Sequence, residues 1–282
     1  MNLADIDTIK NLLFPDGFSF KKSLGQNFLI NEEVCPAMAR AAADQTTGVI
    51  EIGPGIGVLT AELSKVSKRV VAIELDERLR TVLPKTLKDC QNTEVIFADA
   101  MKLDLKKLIA EKFSDCEKVC VCANLPYYIT SPIIMNLLES RLPLDNITVM
   151  VQKEAAERLC ARVGSRDAGA VTVAVSYYAE GEILFGVDKS SFLPPPKVDS
   201  AVIQLKIRKE PPVKPKSEEN FFKFVKACFA QRRKTLVNTV SNTLKIEKDA
   251  IRAALSAENI RETARSEELS MEQLSKLSDR LM

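Results

Sequence analysis

Four consecutive residues, Asn124-Leu125-Pro126-Tyr127, combine groups that can hold a flat base bearing an amine. They follow an apolar run, Val119-Cys-Val-Cys-Ala123, which predicts a strand ending just before them. The Asn124 side-chain oxygen and the backbone carbonyl of Leu125 or Pro126 can each accept one hydrogen of an exocyclic amine. The Tyr127 ring can stack on the base. The segment therefore predicts a base-binding site at the carboxyl end of a strand, where open α/β sheets bind ligands.

A second group of residues suits a nucleoside. Gly53 and Gly55 lie in a glycine-rich loop between the first predicted strand of the alternating region and a helix, where they permit a tight turn and a close approach of backbone to ligand. Glu74 ends the next apolar run and can bind ribose hydroxyls, whereas Asp99-Ala100 ends the third and can reach an adenine ring. The loop has no Lys or Arg for a pyrophosphate. The pattern favours S-adenosylmethionine as the cofactor.

The sequence contains no histidine, which excludes Ser-His and Cys-His mechanisms and removes the commonest general base. Methyl transfer from a sulfonium needs no base, because the proton can leave to solvent after transfer. We therefore expect Asn124 to position the amine and to stabilise the charge developing on it. Phe192 can close the other face of the base, or it can pack beside the proline run that follows it. Tyr128 is assigned a structural role.

Seven cysteines, no secretory signal pattern and no run of 18 apolar residues predict a reduced, soluble, cytoplasmic protein with no membrane partner. Cys116, Cys120 and Cys122 are close in sequence, but the chain has no Cys-x-x-Cys pair and no histidine to complete a zinc site. We expect these cysteines to pack in the core and the protein to bind no metal. A monomer is expected.

The charge is unevenly distributed. From Lys206 to the end, 17 Lys and Arg residues stand against 11 Asp and Glu, whereas the first 205 residues have 23 against 27. A basic tail indicates an anionic partner, although a solvated helical surface has the same composition. Lys223, Lys226 and Arg233 are spaced to share a helix face. With Arg232 and Lys234 they form the predicted RNA-binding set.

Apolar runs alternate with helical patterns through the first two thirds of the chain, which predicts an α/β fold with a mostly parallel, doubly wound sheet. Ala170–Tyr178 and Ser200–Ile207 are predicted as additional strands. Domain boundaries follow from composition: a cofactor-binding catalytic domain over 1–208, a proline-rich linker over 209–217, and an all-helical RNA-binding domain over 218–282.

Taken together, the motifs resemble one family. Gln26-Asn27-Phe-Leu29, the glycine loop, Glu74, Asp99 and Asn124-Leu-Pro-Tyr127 are followed by Phe192-Leu-Pro-Pro-Pro-Lys-Val-Asp-Ser200 and Gln231-Arg-Arg-Lys-Thr-Leu-Val-Asn238. In this order they are similar to the bacterial small-subunit ribosomal RNA adenine dimethyltransferases, over about residues 20 to 270.

The resemblance implies a Rossmann-like class I methyltransferase with a helical C-terminal domain. It implies dimethylation of two adjacent adenosines in a hairpin loop near the 3′ end of 16S rRNA, during assembly of the small subunit. It also implies that the cofactor contacts Asn27, Leu29, Gly53, Glu74, Asp99 and Asn124.

Two other interpretations remain open. A sister family methylates an adenine of the large-subunit rRNA and has the same fold and a similar Asn-x-Pro-Tyr segment. The second interpretation is a binding protein that keeps the fold but has lost catalysis. A glycine loop without its glycines, or a different residue in place of Asn124, would indicate such a protein.

Overall fold

The computed structural model describes residues 2–13 and 27–282. Pro15, Asp16 and Gly17 predict a short helix followed by a turn over residues 1–20. Helix α1 (Ile6–Leu13) is present, and the rest lies outside the described residues. The sequence also predicts a basic, polar loop over residues 21–29, of which only the apolar end is described. That end forms strand β1 (Phe28–Leu29).

The later strands in chain order are β2 (Thr47–Ile52), β3 (Arg69–Glu74), β4 (Thr93–Phe97), β5 (Lys118–Asn124), β6 (Asn146–Gln152), β7 (Ala179–Val187), β8 (Phe192–Leu193) and β9 (Ser200–Ile207). In the described part of the chain, seven of the strands form one sheet in the order β4-β3-β2-β5-β6-β9-β7. The strands from β4 to β6 are parallel, and β9 runs antiparallel to β6. Strands β1 and β8 form a separate antiparallel pair.

The remaining α-helices in chain order are α2 (Val34–Ala42), α3 (Val58–Val66), α4 (Leu83–Thr86), α5 (Leu105–Lys112), α6 (Thr130–Glu139), α7 (Lys153–Leu159), α8 (Ala170–Tyr178), α9 (Glu218–Cys228), α10 (Leu236–Leu244), α11 (Lys248–Ala257) and α12 (Met271–Leu281). Every residue of β2 is buried, as expected for a central parallel strand covered on both faces. The predicted fold class is confirmed.

The segment Ala170–Tyr178 is a helix, so its prediction as a strand is wrong. Its side chains are apolar on nearly every face, and a short buried run of this kind does not distinguish a strand from a buried helix. The local start signal is a hydrogen bond from the Gly169 amide to the Thr172 hydroxyl, at 2.9 Å. Thr172 in turn donates to the Arg158 carbonyl at 2.7 Å. Strand β7, which the sequence did not predict, begins directly after this helix.

The chain divides into two compact units. The first comprises residues 1–156 and 182–207, and the second comprises residues 157–181 and 208–282. This grouping differs from the predicted boundary at residue 208, because helix α8 packs with α9. Glu218 of α9 accepts hydrogen bonds from the hydroxyls of Tyr177, at 3.1 Å, and Tyr178, at 2.9 Å.

Cys120 and Cys122 are fully buried in the core of the first unit, beside Cys35. Within residues 2–13 and 27–282, no group of acidic or cysteine side chains is placed to hold a metal ion. In the same ranges, no helix has the length and apolar character needed to cross a membrane.

Candidate active site

A cavity opens in the first unit at the carboxyl ends of strands β2 to β5. The structure brings every predicted cofactor and catalytic residue to it: Asn27, Leu29, Gly53, Gly55, Glu74, Asp99, Ala100, Asn124, Leu125, Pro126, Tyr127 and Phe192. Parallel strands end at one edge of a sheet, so the loops that follow them meet there. The two predicted sites are thus parts of one cavity.

The glycine loop has a backbone conformation that residues with side chains rarely adopt. Gly53 and Gly55 have φ angles of 73° and 58°, in the left-handed region. A Cβ on Gly53 would meet no atom within 4 Å, so this residue presents bare backbone to open space in the cavity. A Cβ on Gly55 would lie 3.3 Å from the ring of Phe28. The loop therefore leaves room for a ligand on one side and packs tightly against β1 on the other.

Glu74 is oriented by the backbone around it. Its carboxylate accepts hydrogen bonds from the amide of Gly55, at 3.1 Å, and from the amide of Asp76, at 2.7 Å. Burial raises the pKa of Glu74, and these two amides oppose that shift. The same side chain thus joins the glycine loop to the end of β3.

Glu51 is a site residue that the sequence analysis missed. It lines the cavity, is 1% exposed, and its Oε2 atom has no hydrogen-bond partner within the described residues. Burial raises its pKa to about 8, with the nearby charge of Glu74 contributing to the rise and the neighbouring Thr60 hydroxyl opposing it. The position of Glu51 in the sequence could have indicated that it belongs to the site. A glutamate within an otherwise apolar strand, just before a glycine loop, is seldom fully buried without a partner.

Asp99 and Ala100 follow β4 at the cavity edge. The Asp99 carboxylate accepts a hydrogen bond from the amide of Met101 at 3.0 Å and forms an ion pair with Lys102 at 3.5 Å. Together with Glu51 and Glu74, Asp99 makes the cavity acidic. Among the described residues that line it, none is basic. Such a lining suits a ligand with positive charge and disfavours a phosphate.

The strand pair of β1 and β8 forms another wall of the cavity. Leu29 lies opposite Phe192 in this pair, and the Ile30 amide donates to the Ser191 carbonyl at 2.8 Å. Phe192 is 2% exposed, yet it lines the cavity. Asn27 immediately precedes β1 and also lines the cavity.

Hydrogen bonds in the Asn124–Tyr127 segment distinguish the backbone carbonyl that is already bonded from the one that can accept a hydrogen bond from a ligand. The Pro126 carbonyl accepts hydrogen bonds from the Ile129 amide, at 3.1 Å, and the Thr130 hydroxyl, at 3.2 Å. No donor in the described parts of the chain bonds to the Leu125 carbonyl or to the Asn124 side chain. Leu125 is therefore the open backbone acceptor beside Asn124.

The two tyrosines after Pro126 differ in environment. The Tyr127 ring is half-buried, and its hydroxyl lies 2.7 Å from the Ser200 hydroxyl. Burial raises the Tyr127 pKa, so the phenol is protonated at neutral pH. Tyr128 is 57% exposed at the edge of the cavity, and its assignment to a structural role stays a prediction.

The predicted RNA-binding residues all lie in the second unit and are exposed. Lys223 and Lys226 are on helix α9, which ends at Cys228, so the prediction that Arg233 shares their helix face is wrong. Arg232, Arg233 and Lys234 occupy the turn between α9 and α10. The Arg232 guanidinium donates, at 3.3 Å, to the carbonyl oxygens of both Arg166 and Ala168.

The sheet order and the acidic, glycine-bounded cavity define a Rossmann-like class I methyltransferase. Two solved structures of methyltransferases are similar to this one, and each is 28% identical in sequence to this chain. A dimethyladenosine transferase from Plasmodium falciparum has a TM-score of 0.73 over 89% of this chain and 95% of that one. The 23S rRNA methyltransferase ErmE has a TM-score of 0.69 over 90% of this chain and 99% of that one.

The chain belongs to the ribosomal RNA adenine dimethylase family, whose model matches residues 17–282. Relatives named ribosomal RNA small subunit methyltransferase A are similar over nearly the whole chain. The Bacillus licheniformis protein is 49% identical, covering 96% of this chain and 94% of its own length. The protein from Geobacillus thermodenitrificans is also 49% identical, with 100% and 97% covered. The Staphylococcus aureus protein is 46% identical, with 98% and 94% covered.

Proposed function

We propose that this protein transfers methyl groups from S-adenosylmethionine to the exocyclic amines of two adjacent adenosines in a hairpin near the 3′ end of 16S rRNA. The observation that supports this best is the single cavity that joins two recognition sets. One set suits a cationic nucleoside, and the other presents an amide oxygen and an open carbonyl beside an aromatic ring.

The cofactor side follows from the acidic residues. Glu74 would hold the ribose hydroxyls, and Asp99 with Ala100 would contact the adenine. The buried, unpartnered Oε2 of Glu51 is suited to an ammonium group such as that of a methionine moiety. Leu29 and Asn27 would close this side, and the bare backbone at Gly53 lets the ligand approach the loop. The bound cofactor supplies an electrophilic methyl group on a sulfonium.

The base side follows from Asn124 and its neighbours. Adenine's amine is a weak nucleophile, because its lone pair is delocalised into the ring. The Asn124 side-chain oxygen and the Leu125 carbonyl would accept its two hydrogens and stabilise positive charge on the nitrogen during transfer. Pro126 contributes the turn, and its own carbonyl is already occupied. Tyr127 would stack on the base, with Phe192 on the opposite face.

The partner is proposed from charge and similarity. Lys223, Lys226, Arg233 and Lys234 are exposed cations suited to RNA phosphates in the assembling small subunit. Arg232 fits a structural role, since its guanidinium donates hydrogen bonds to carbonyl oxygens of the 166–168 segment. We further propose that the protein works as a cytoplasmic monomer without a metal.

The choice between ribosomal subunits is supported by sequence similarity. The three relatives described above, all named for the small subunit, are 46–49% identical, whereas the large-subunit enzyme ErmE is 28% identical. The test is transfer of tritiated methyl from S-adenosylmethionine to 30S and 50S particles that each lack their native adenine methylation. We expect incorporation into 30S particles alone.

Incorporation into 50S particles would favour the large-subunit function and contradict the proposal. Binding to 30S particles without any transfer would favour the non-catalytic assembly protein. Fully modified 30S particles are the matched control, because they present the same surface with no acceptor amine.

A further inference from the structure

The segment from Phe192 to Ser200 links one aromatic residue of the cavity to a serine that contacts a second one, Tyr127. It begins with Phe192 in β8, which lines the cavity, and ends at Ser200, the first residue of β9. Ser200 itself does not line the cavity, but its hydroxyl lies 2.7 Å from that of Tyr127. The two residues are 73 positions apart in sequence.

Ser200 is held rigidly. It is 0% exposed and lies opposite Gln152 in the antiparallel pairing of β6 and β9. Its neighbour Asp199 is fixed twice: its carbonyl accepts from the Lys153 amide at 3.0 Å, and its carboxylate accepts from the Lys189 amide at 3.2 Å. The Ser200 hydroxyl is therefore a fixed point on the sheet.

The Tyr127 ring is more exposed than Ser200. Tyr127 begins a three-residue 3-10 helix, and its ring is half-buried at the cavity. A ring in that position can rotate about its side-chain bonds unless its far end is fixed. The hydrogen bond to Ser200 fixes that end.

We propose that Ser200 is a positioning residue for the methyl-transfer reaction: it anchors the Tyr127 hydroxyl so that the ring is already oriented to stack on the extruded adenine. Pre-orientation lowers the entropy lost when the base binds. Ser200 touches neither base nor cofactor in this account and acts through Tyr127. The inference rests on the proposed function of the cavity.

The test compares Ser200→Ala, Tyr127→Phe and the double variant. Each single change removes the same hydrogen bond and keeps the ring. We expect each to lower kcat/KM for 30S particles by about 3- to 10-fold, the size expected for one neutral hydrogen bond. The double variant should be no worse than the more affected single variant, because the shared interaction is already lost. The dissociation constant for S-adenosylmethionine should remain unchanged in all three.

Ser67→Ala is the matched control. Ser67 is also buried in the first unit, but its hydroxyl donates to the Leu63 carbonyl at 2.7 Å, away from the cavity. It should change stability without changing kcat/KM. A general loss of packing would affect both serine variants alike, and their thermal unfolding would show it.

A direct reporter of stacking is 2-aminopurine placed at the target adenosine of an RNA hairpin. Stacking on Tyr127 should quench its fluorescence in the wild type, and the quenching should be weaker in Ser200→Ala and Tyr127→Phe. Unchanged quenching, or additive losses in the double variant, would overturn the inference. If the wild type transfers no methyl group to 30S particles, the proposed function fails instead, so the two failures are distinguishable.

Discussion

Leu29 lies directly opposite Phe192 in the two-stranded pair of β1 and β8. The pairing joins a residue near the start of the second described range, 27–282, to one in the 182–207 segment of the first unit. Leu29 is on the proposed cofactor side and Phe192 on the proposed base side of one cavity. Under the proposed function, this strand pair would set the spacing between the methyl donor and the acceptor base.

Phe192→Leu tests whether this ring stacks on the base or only packs. Leucine keeps most of the apolar volume at a site that is almost fully buried, so we expect a stability loss of about 1 kcal/mol. If the ring stacks, kcat/KM should fall by about 10-fold, since base stacking is worth roughly 1–3 kcal/mol. Thermal unfolding and methyl transfer are measured on the same preparation. Full activity with the same small stability loss would assign Phe192 to packing alone.

Asn124→Ala should reduce methyl transfer by about 100-fold or more, as expected for loss of a preorganised group that stabilises transition-state charge. Cofactor affinity, measured by calorimetry, should change by no more than a few-fold. Asn136→Ala on helix α6 removes the same amide outside the cavity and should leave transfer intact. Substantial activity in Asn124→Ala would contradict the proposed role of the amide.

Glu51→Gln should stabilise the cofactor-free protein in a pH-dependent manner. The folded-state pKa is about 8, against an ordinary value of 4.5. Between these values the unfolded state ionises Glu51 while the folded state keeps it protonated, so wild-type stability falls as pH rises. The variant lacks this penalty. Its gain in free energy of unfolding should be near zero at pH 4.5 and reach a few kcal/mol above pH 8.

The same variant should bind S-adenosylmethionine more weakly, because glutamine offers no negative charge to an ammonium. In the wild type below pH 8, cofactor binding should favour ionised Glu51 and release a proton. Calorimetry in buffers of different ionisation enthalpy measures that release. A stability difference that is equal at pH 5 and pH 8.5 would show that Glu51 is already ionised in the folded protein.

Gly53→Ala should weaken cofactor binding and lower stability, because φ is 73° there and a methyl group would project into the cavity. The strain alone costs roughly 1 kcal/mol. Gly186 is the matched control: a Cβ there also meets no atom within 4 Å, but its φ is not positive. Gly186→Ala should leave cofactor affinity unchanged. Equal effects of both changes on affinity would argue against a ligand at Gly53.

We expect some basic residues of the second unit to bind RNA and others to stabilise the fold. Lys223→Ala and Lys226→Ala should each weaken 30S binding and reduce the salt slope of log K by about 0.7–0.9, the contribution of one phosphate contact. Arg232→Ala should instead lower stability, because two carbonyl oxygens lose their donor. Binding at several salt concentrations and thermal unfolding distinguish the two results. A Lys223→Ala protein with an unchanged slope would remove this residue from the interface.

The sequence predicted which residues line the site better than it predicted the hydrogen bonds that those residues make. Gly53, Glu74, Asp99 and Asn124 lie at or just after the carboxyl ends of strands, and parallel strands place those ends together, so the spacing alone brought them to one cavity. The choice between the Leu125 and Pro126 carbonyls depends on which is already bonded within the turn. That is a property of the backbone and not of residue type.

Other errors have a similar physical origin. Ala170–Tyr178 is rich in β-branched residues, and only its packing against other helices decides that it is helical. Arg232 differs from Arg233 only through two carbonyl groups more than 60 positions away in sequence. Glu51 was visible as a charge in an apolar strand, but its lack of a hydrogen-bond partner is a three-dimensional fact.

The most direct test of the central claim is mass-spectrometric mapping of 16S rRNA after unmodified 30S particles react with the protein and S-adenosylmethionine. We expect N6,N6-dimethyladenosine at two adjacent positions of one hairpin near the 3′ end, and unmodified adenosines when Asn124→Ala replaces the wild type. Methylation of a different nucleotide, or a wild-type product without any methylated adenosine, would contradict that claim.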